Sequence, residues 1–322
     1  MADYKVEVVD APSYLRFLSD NPSDNPYSLV PLLEAYKKVF LYDFQLLFII
    51  RNGVAVASCA LFVDKRFHQP TIRLMPMRIY DGVHFRNLEE SKFQKQEQEQ
   101  LSALEALEKH LEKNFSFHQM SFPPEYYDLR AFQWSGANVV PQYTYIVDLS
   151  NFSEENYTKS LKEVLRSAQQ SGLSAGACGV EELVAMQQIS YERHSRRPPV
   201  AADKLNNLLG ALRMAGILEI NCIRNKNGKV ISALAWLRVN ANSFFYVTGT
   251  DAEAEKGASH LLYHEILKSE KEKGGCSVDF CGANTATINL FKSAFGPRLE
   301  VYFRVWRANR FITRFASLAK KI

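Results

Sequence analysis

The sequence repeats one order of elements at the end of each half, and this repeat is the feature that most constrains its fold. Residues 131–136 form a short helical segment that ends on a glycine, and a tyrosine-bearing strand follows over residues 143–147. Residues 290–296 and 301–305 show the same order. In each half we expect this strand to close the sheet. The pattern predicts two copies of one α/β unit, and chance recurrence of common elements is the alternative interpretation.

A chain of 322 residues is long enough for two such units of ordinary domain size. Each half also carries an Asn-Gly turn between two apolar strand segments, beginning at Asn52 and at Asn227. Asn-Gly is the residue pair that a tight two-residue hairpin favours. We therefore predict an α/β fold with mixed sheets, and we place its two domains at residues 1–149 and 150–322.

Composition excludes several classes of protein. Apolar residues make up 47% of the chain and charged residues 23%, which is typical of a globular protein and not of a disordered or fibrous one. The longest apolar run, residues 46–50, is far shorter than the roughly 20 residues that cross a bilayer, so we expect no transmembrane segment. The N-terminus lacks the apolar stretch of a secretory signal, and the five cysteines form no C-x-x-C pair. These features predict a cytoplasmic protein with free thiols.

The net charge of +4 is concentrated at the C-terminus, where residues 301–322 contain six cations and no carboxylate. Within this segment Phe311, Phe315 and Leu318 share one helical face, and the cations lie elsewhere. A basic amphipathic helix of this kind can lie on an anionic membrane or on a phosphate backbone. Docking of its apolar face onto the protein's own core is the alternative.

A set of short motifs in the second half resembles a known family. They occur in a fixed order at 145–149, 166–172, 246–250, 257–262, 278–282, 289–292 and 295–296. Their order and spacing resemble the second domain of the Fem family, which contains the peptidyltransferases FemA, FemB and FemX and the wider FemAB-like, tandem GNAT-fold acyltransferases. The resemblance covers most of the chain from residue 132 to residue 303. It implies two tandem GNAT-like domains that form a cleft, with the first domain non-catalytic.

The resemblance also implies where an acyl donor binds. In a GNAT unit two parallel strands splay apart and the donor inserts between them; here the strands correspond to residues 243–248 and 277–280. The helix that follows the first strand offers free backbone N–H groups to phosphate. The loop before this helix departs from the usual acetyl-CoA loop of the family at its first and last positions, which are Ala254 and Ser259 here. An ordinary helix start is the alternative interpretation. The predicted donor-binding residues are Tyr246, Lys256, Gly257, Ala258, Ser259 and Asn284.

The catalytic prediction centres on Lys292. Many GNAT enzymes place a proton-donating tyrosine where this sequence has Phe291, which cannot donate a proton. Lys292 occupies the position of the Fem family's Phe-Lys lysine, which the resemblance implicates in stabilising the tetrahedral intermediate. The first-domain counterpart is Gln133, which is neutral. We expect Ile288 to face inward and the ammonium to point to the rim of the cleft, where removing its charge changes stability by less than ~0.5 kcal/mol.

Further polar residues are predicted to contact substrate. These are Arg166, Arg78 and Tyr80, together with Arg196 and Arg197 in a cationic loop that also contains His194. A solvated loop is the alternative for the cationic segment. His260 and His264 are four residues apart on one helix, but no third ligand accompanies them, and we predict no metal site.

The combined prediction is an N-acyltransferase that moves an acyl or aminoacyl group onto an amine of a sugar, a peptide or a small metabolite. Its donor is acyl-CoA or aminoacyl-tRNA, and no cofactor is tightly bound. The tRNA-dependent relatives commonly carry a helical coiled-coil arm that this sequence lacks, which argues against tRNA as the donor and a peptidoglycan precursor as the acceptor. The alternative is a catalytically degenerate tandem-GNAT protein that binds a ligand or serves as a scaffold.

Overall fold

The computed structural model describes residues 4–65, 69–81, 83–86, 93–126, 128–193 and 195–308. Contacts within the chain divide it into two compact units. Unit 1 comprises Met1–Gln142 and the chain from Val301 onward, and unit 2 comprises Tyr143–Glu300. By this division residues 143–149 belong with the second unit, whereas the sequence placed them at the end of the first.

The elements of the described residues follow the predicted alternation of helices and strands. The strands are β1 (Tyr4–Val9), β2 (Asp43–Arg51), β3 (Val54–Asp64), β4 (Thr71–Ile72), β5 (Val83–Phe85), β6 (Phe117–Phe122), β7 (Asn138–Asp148), β8 (Ser174–Ala177), β9 (Leu218–Arg224), β10 (Val230–Val239), β11 (Asn242–Thr250), β12 (Ser277–Asp279) and β13 (Arg298–Ala308). The helices are α1 (Ala11–Asp20), α2 (Val30–Phe40), α3 (Phe93–Asn114), α4 (Arg130–Ser135), α5 (Lys159–Gln170), α6 (Val180–Arg193), α7 (Ala202–Met214), α8 (Ala258–Glu272) and α9 (Ala286–Ser293).

Unit 1 is a mixed sheet covered by helices. Its strand order is β1-β2-β3-β4-β6-β13, with β5 paired to β3; β4 and β6 are parallel and the other described pairs antiparallel. The apolar seam of α3 packs on this sheet, with Leu104, Leu107 and Leu111 almost fully buried. The predicted hairpin at Asn52 joins β2 and β3.

The two closing strands are exchanged relative to the sequence prediction. β13, from the end of the chain, pairs with β6 of unit 1 and buries Val305 in the unit 1 core. Arg307 on β13 also forms an ion pair of 3.1 Å with the buried Glu108 of α3. Residues of β7 instead pair with β12 in unit 2. The helix-glycine-strand repeat therefore occurs twice, but each strand completes the sheet of the other half.

Unit 2 has the strand order β7-β12-β11-β10-β9-β8. β12 and β11 run parallel, and the other described pairs are antiparallel. Its core joins the sheet to α5 and α8 through Leu161, Leu165, Leu262 and Ile266. The strand β8 was not predicted, because its sequence Ser-Ala-Gly-Ala has no β-branched or aromatic residue.

Candidate active site

The parallel strands β11 and β12 separate after only three paired positions. Their ladder ends at Phe244 opposite Asp279, while β11 continues to Thr250. Beyond that point the chain after β12 stays paired with β7 on its other edge, since the backbone N–H of Phe280 donates to the carbonyl of Tyr145. The two strands therefore diverge, and a gap opens between them at the C-terminal end of β11.

A β-bulge lies beside this gap. In the pairing of β10 with β11, Trp236 opposes Phe245 and Ala235 opposes Val247, so Tyr246 is the extra residue. A bulge bends its strand and interrupts the alternation of side chains between the two faces of a sheet. The predicted donor-binding residue Tyr246 therefore marks the position at which β11 changes course.

Side-chain contacts show the change of face across the bulge. Before it, Ser243 and Phe245 contact α8. After it, the hydroxyl of Thr250 shares a hydrogen bond of 2.8 Å with the hydroxyl of Ser259 on α8. In a regular strand, odd-numbered and even-numbered residues lie on opposite faces. Ser243, Phe245 and Thr250 all face α8 because the bulge shifts this alternation by one residue.

The opposite face of β11 is covered by α6. A Cβ added to Gly249 would overlap the backbone of Met186 and Gln187, so the helix and the strand are in direct backbone contact there. This approach requires glycine, because any side chain would separate the two elements. α6 is thereby fixed across the mouth of the gap, and it ends at Arg193.

A pocket of about 460 Å³ occupies the gap. Its lining residues are Arg193 from α6; Leu234 from β10; Phe245, Tyr246, Val247, Thr248 and Thr250 from β11; Ser259 and Tyr263 from α8; Phe280 and Cys281 from the end of β12; and Thr287, Ile288, Phe291 and Lys292 from α9. Because α8 and α6 lie on opposite faces of the sheet, the pocket passes through the sheet from one face to the other.

Lys292 lies in the wall of this pocket and is only 7% exposed. Its Nζ donates to the carbonyls of Phe280 at 2.5 Å, Gly282 at 2.7 Å and Cys281 at 3.4 Å. An ammonium has three N–H donors, so these carbonyls occupy all of them. Burial lowers the pKa of Lys292 from its ordinary value.

The expectation that the ammonium of Lys292 points to the rim of the cleft is therefore wrong, and the small effect of its charge on stability stays a prediction that these contacts argue against. Its ammonium fastens the segment that follows β12, which is the segment that diverges from β11. The related expectation for Ile288 is also wrong, since this side chain is 44% exposed and lines the pocket. The motif order predicted the position of the lysine on a short helix, but it could not show which carbonyls lie opposite its ammonium.

The start of α8 has the predicted glycine, for a reason the sequence did not show. Gly257 caps the helix with φ +94°, and a Cβ there would lie 2.9 Å from Val164 and 3.0 Å from Ala168 of α5. The glycine thus allows α5 and α8 to pack closely. Lys256 is exposed and Ala258 is buried, and neither lines the pocket, whereas Ser259 does.

The remaining predicted residues of unit 2 lie outside the pocket. Asn284 accepts a hydrogen bond from the backbone N–H of Tyr143 through its side-chain oxygen, and so extends the edge of β7. Arg166 is exposed on α5, and Arg196 and Arg197 are exposed directly after α6. His194 lies outside the described residues, as do Phe311, Phe315 and Leu318 of the C-terminal tail.

The two predicted residues of unit 1 are buried within that unit. Arg78 donates to the carbonyl of Tyr27 and pairs with Asp81 at 3.0 Å. Tyr80 is 1% exposed and packs edge-on against Tyr27 and Tyr302. Neither Arg78 nor Tyr80 lines the pocket of unit 2.

Sequence reasoning missed several residues that line the pocket. Arg193, Thr250, Tyr263 and Cys281 belong to it, and none was predicted. Cys281 comes two residues after the last paired residue of β12, and Thr250 ends β11, so their positions in the sequence were a usable signal. Arg193 had no such signal, because its place depends on the backbone contact of α6 with Gly249.

No cluster of three or more histidine, cysteine or carboxylate side chains with metal-binding geometry occurs in the part of the chain that the structure describes. In the same residues, no helix combines the length and the apolar character needed to cross a bilayer.

Comparison with known families identifies the fold of unit 2. Residues 156–292 match the family model described as an acetyltransferase (GNAT) domain. This segment is therefore similar to a GNAT acyltransferase domain. The matched segment contains the splayed strands, the bulge and Lys292, and it ends at that lysine. The predicted acyltransferase class is confirmed, and the substrates of this GNAT domain are accordingly an acyl donor and an amine acceptor.

Solved structures extend the likeness to the whole chain. The crystal structure of FemX is 12% identical, with a TM-score of 0.66, and the match covers 93% of this chain and 96% of that one. L-PGS from Bacillus licheniformis is 14% identical, with a TM-score of 0.59 and coverage of 94% of both chains. A tandem GNAT protein from the clavulanic acid biosynthesis pathway is 12% identical, with a TM-score of 0.53 and coverage of 95% and 98%.

At these identities the likeness establishes the fold, and it confirms the predicted mixed α/β, tandem GNAT architecture. The predicted Fem-like resemblance is confirmed at the same level. No curated protein matches the sequence.

Proposed function

We propose that unit 2 binds an acyl-CoA thioester in the pocket between β11 and β12 and transfers its acyl group to the nitrogen of an amine. The observation that supports this most directly is the early end of the β11–β12 ladder beside a pocket that crosses the sheet. An extended chain with amide groups, such as the pantetheine arm of CoA, can take the place of the missing ladder partner.

The two faces of the sheet offer separate approaches for the two substrates. On the α8 face, Ser259 lies in the first turn of α8, where backbone N–H groups and the helix dipole favour a phosphate. On the other face, the pocket is bounded by α6 and Arg193. We therefore assign the donor to the α8 face and the amine to the α6 face.

The transfer step needs few protein groups. The amine nitrogen attacks the thioester carbonyl, the tetrahedral intermediate collapses, the thiolate leaves, and the amine loses a proton. Among the described residues that line the pocket there is no histidine or carboxylate to accept that proton. The amine must then react in its neutral form and release its proton to water, and turnover should rise with pH toward the pKa of the amine.

Lys292 supports this reaction through its position and its charge. Its three N–H groups are occupied by carbonyls, so it stabilises a developing oxyanion through its positive charge at the pocket wall and not by donating a hydrogen bond. The same contacts hold the end of β12 away from β11.

Binding of the donor is tested by thermal shift. Acetyl-CoA, longer acyl-CoAs and charged tRNA are each added to the full-length protein, since a ligand that binds only the folded state raises its melting temperature. We expect stabilisation by acyl-CoA. Stabilisation by charged tRNA alone would contradict the proposed donor, and stabilisation without turnover on any amine would favour the binding-protein alternative.

A pair of variants on α9 locates the donor site. Thr287 lines the pocket and is exposed, whereas Leu290 is 72% exposed on the same helix and does not line it. Thr287→Trp should fill the pocket mouth and abolish the stabilisation by acyl-CoA, and Leu290→Trp should leave it unchanged. Equal behaviour of the two variants would show that the donor binds elsewhere.

The predicted cytoplasmic location, the use of tRNA and the membrane contact of the basic tail stay predictions. Residues 309–322 of that tail lie outside the described residues.

A further inference from the structure

The inner end of the pocket is closed by aromatic rings. Phe245 and Phe280 are the first residues beyond the paired part of β11 and β12, and their rings stack with centroids 5.0 Å apart. They therefore mark the point at which the two strands begin to separate. The ring of Tyr263 on α8 packs edge-on against both, with its centroid 4.8 Å from that of Phe245 and 5.4 Å from that of Phe280.

The course of α8 carries Tyr263 inward from the mouth of the pocket. Ser259 and Tyr263 are four residues apart on this helix, so they lie on one side of it, one turn apart, and both line the pocket. The hydroxyl of Ser259 contacts Thr250 at the end of β11, whereas Tyr263 contacts Phe245 next to the end of the ladder. Tyr263 therefore lies deeper in the pocket than the first turn of α8, to which the phosphates of the donor are assigned.

Neighbouring rings fix the position of the Tyr263 side chain. In addition to Phe245 and Phe280, Phe291 of α9 lies 4.9 Å from it and Phe295 lies 5.6 Å from it, measured between ring centroids. A tyrosine ring enclosed by four aromatic rings has little freedom to rotate away. Its hydroxyl is thus held in place before any ligand binds.

The Tyr263 hydroxyl has no hydrogen-bond partner among the described residues. The Nε1 atom of Trp236 also lacks one, but it is sealed in the core, whereas the hydroxyl of Tyr263 opens onto the pocket. An unpaired hydroxyl beside apolar side chains is unfavourable, and a ligand that supplies an acceptor removes this cost. Burial, and to a smaller extent the Cys281 thiol, raises the pKa of Tyr263, so the hydroxyl keeps its proton at neutral pH and can only donate it in a hydrogen bond.

Other polar groups of the pocket are already engaged. The ammonium of Lys292 donates to three carbonyls. The hydroxyls of Thr250 and Ser259 share a hydrogen bond, and the hydroxyl of Thr248 donates to a backbone carbonyl of β10 at 3.2 Å. In contrast to these groups, Tyr263 has its donor available for a substrate.

We infer that the hydroxyl of Tyr263 donates a hydrogen bond to the thioester carbonyl of the donor, and to the oxyanion that this oxygen becomes when the amine attacks. This inference rests on the proposed function, because it assumes that an acyl-CoA thioester occupies the pocket. Lys292 then supplies positive charge, and Tyr263 supplies the directed hydrogen bond that Lys292 cannot give. Tyr263 is a catalytic residue in this arrangement, although it transfers no proton.

The first test observes the carbonyl directly. Acetyl-CoA with carbon-13 at the carbonyl is bound to the full-length protein, and its carbonyl stretching frequency is measured by isotope-edited infrared spectroscopy. A hydrogen bond weakens the carbonyl bond, so the frequency should be higher in Tyr263→Phe than in the wild-type protein. This measurement requires binding of the donor but no turnover.

The second test is kinetic and uses ethanolamine, glucosamine and glycine as acceptors for acetyl-CoA. Tyr263→Phe should lower kcat by about 10²–10³-fold, the usual effect of removing one preformed donor to an oxyanion. The Kd of acetyl-CoA should change far less than kcat, and the melting temperature should hold, because the hydroxyl has no partner to lose. The pH profile should keep its shape, since a neutral donor does not titrate in the measured range.

Tyr157→Phe is the matched control. Its hydroxyl lies 3.2 Å from Nδ1 of His264, and the residue does not line the pocket. This variant should melt at a lower temperature than the wild-type protein, while its kcat and the carbonyl frequency of bound acetyl-CoA stay unchanged.

The outcomes separate this inference from the proposed function. If acyl-CoA does not bind the wild-type protein, the proposed function is overturned and this inference with it. If acetyl-CoA binds and its carbonyl frequency is the same in wild type and in Tyr263→Phe, this inference alone is overturned. An unchanged kcat in that variant also overturns it, as does the loss of one limb of the pH profile, which would show that Tyr263 transfers a proton.

Discussion

At the scale of single residues, Lys292 and Gly249 show how much a side chain's surroundings determine its role. Lys292 is charged and almost fully buried, and three backbone carbonyls replace the water it has lost. Gly249 is notable for the missing side chain, which lets α6 touch the backbone of β11. Both residues maintain the shape of the pocket.

Replacing Lys292 by methionine should destabilise the protein by about 2–4 kcal/mol, because buried carbonyls would lose their donors. Activity should fall as well, since the end of β12 is no longer held. Equilibrium urea unfolding of both proteins measures the difference. The control is Lys271→Met, whose exposed ammonium donates to the single carbonyl of Phe152. Equal stability of the two variants would show that the contacts of Lys292 contribute little.

Replacing Gly249 by alanine should destabilise the protein by about 3 kcal/mol or more, because α6 must move away from the strand. Gly210→Ala is the matched control, since Gly210 lies within α7 with open space around its Cα. There alanine should stabilise the helix by up to about 1 kcal/mol. A wild-type unfolding midpoint for Gly249→Ala would contradict the close contact.

At the scale of elements, α8 is held by packing on one side and by polar contacts on the other. Gly257 lets it approach α5 at its start. Further along, His264 is 1% exposed and lies 3.2 Å from the hydroxyl of Tyr157. Burial lowers the pKa of His264 below its ordinary value, so the helix packs best with a neutral imidazole.

This arrangement predicts a loss of stability in mild acid. The pKa of His264 is lower in the folded than in the unfolded state, so the unfolded state takes up the proton first as pH falls. The contribution of His264 is complete above the ordinary histidine pKa of about 6.5 and is lost as pH falls toward the folded value. In that range the free energy of unfolding can fall by up to about 1.4 kcal/mol for each unit of pH.

Urea unfolding at pH 7.5, 6.5 and 5.5 measures that slope. His264→Gln should unfold with a smaller pH dependence than the wild-type protein, even if it is less stable at every pH. An unchanged slope would assign the acid sensitivity to the other histidines with lowered pKa values, His84, His110 and His260.

At the scale of the whole molecule, the exchange of closing strands ties the chain's end to its beginning. Unit 1 needs β13, because without it β6 has a paired strand, β4, on one edge only and Glu108 loses its ion pair with Arg307. Unit 2 is a continuous segment, Tyr143–Glu300, with its own core.

Fragments should therefore differ in their ability to fold. The segment 143–300 should fold alone with a cooperative thermal transition, whereas 1–149 should fail to form a stable core or should aggregate through the open edge of β6. Circular dichroism and size-exclusion chromatography distinguish these outcomes. A stable monomer of 1–149 would show that β13 is dispensable.

The order of helices and strands, the hairpin at Asn52, the GNAT-like motifs and the acyltransferase class could all be predicted from the amino-acid sequence. These depend on local patterns and on residue spacing, which a single chain displays directly. It also located the splayed strands and Lys292, because the motif order places them.

Which strand closes which sheet could not be predicted, since β7 and β13 have similar sequence patterns and strand pairing is non-local. The burial of Lys292 and the place of Arg193 at the pocket were likewise undecided by sequence. Both depend on residues distant in the chain, the carbonyls after β12 for Lys292 and Gly249 for Arg193. Contacts of that kind arise when the elements pack, and no periodicity in the sequence records them.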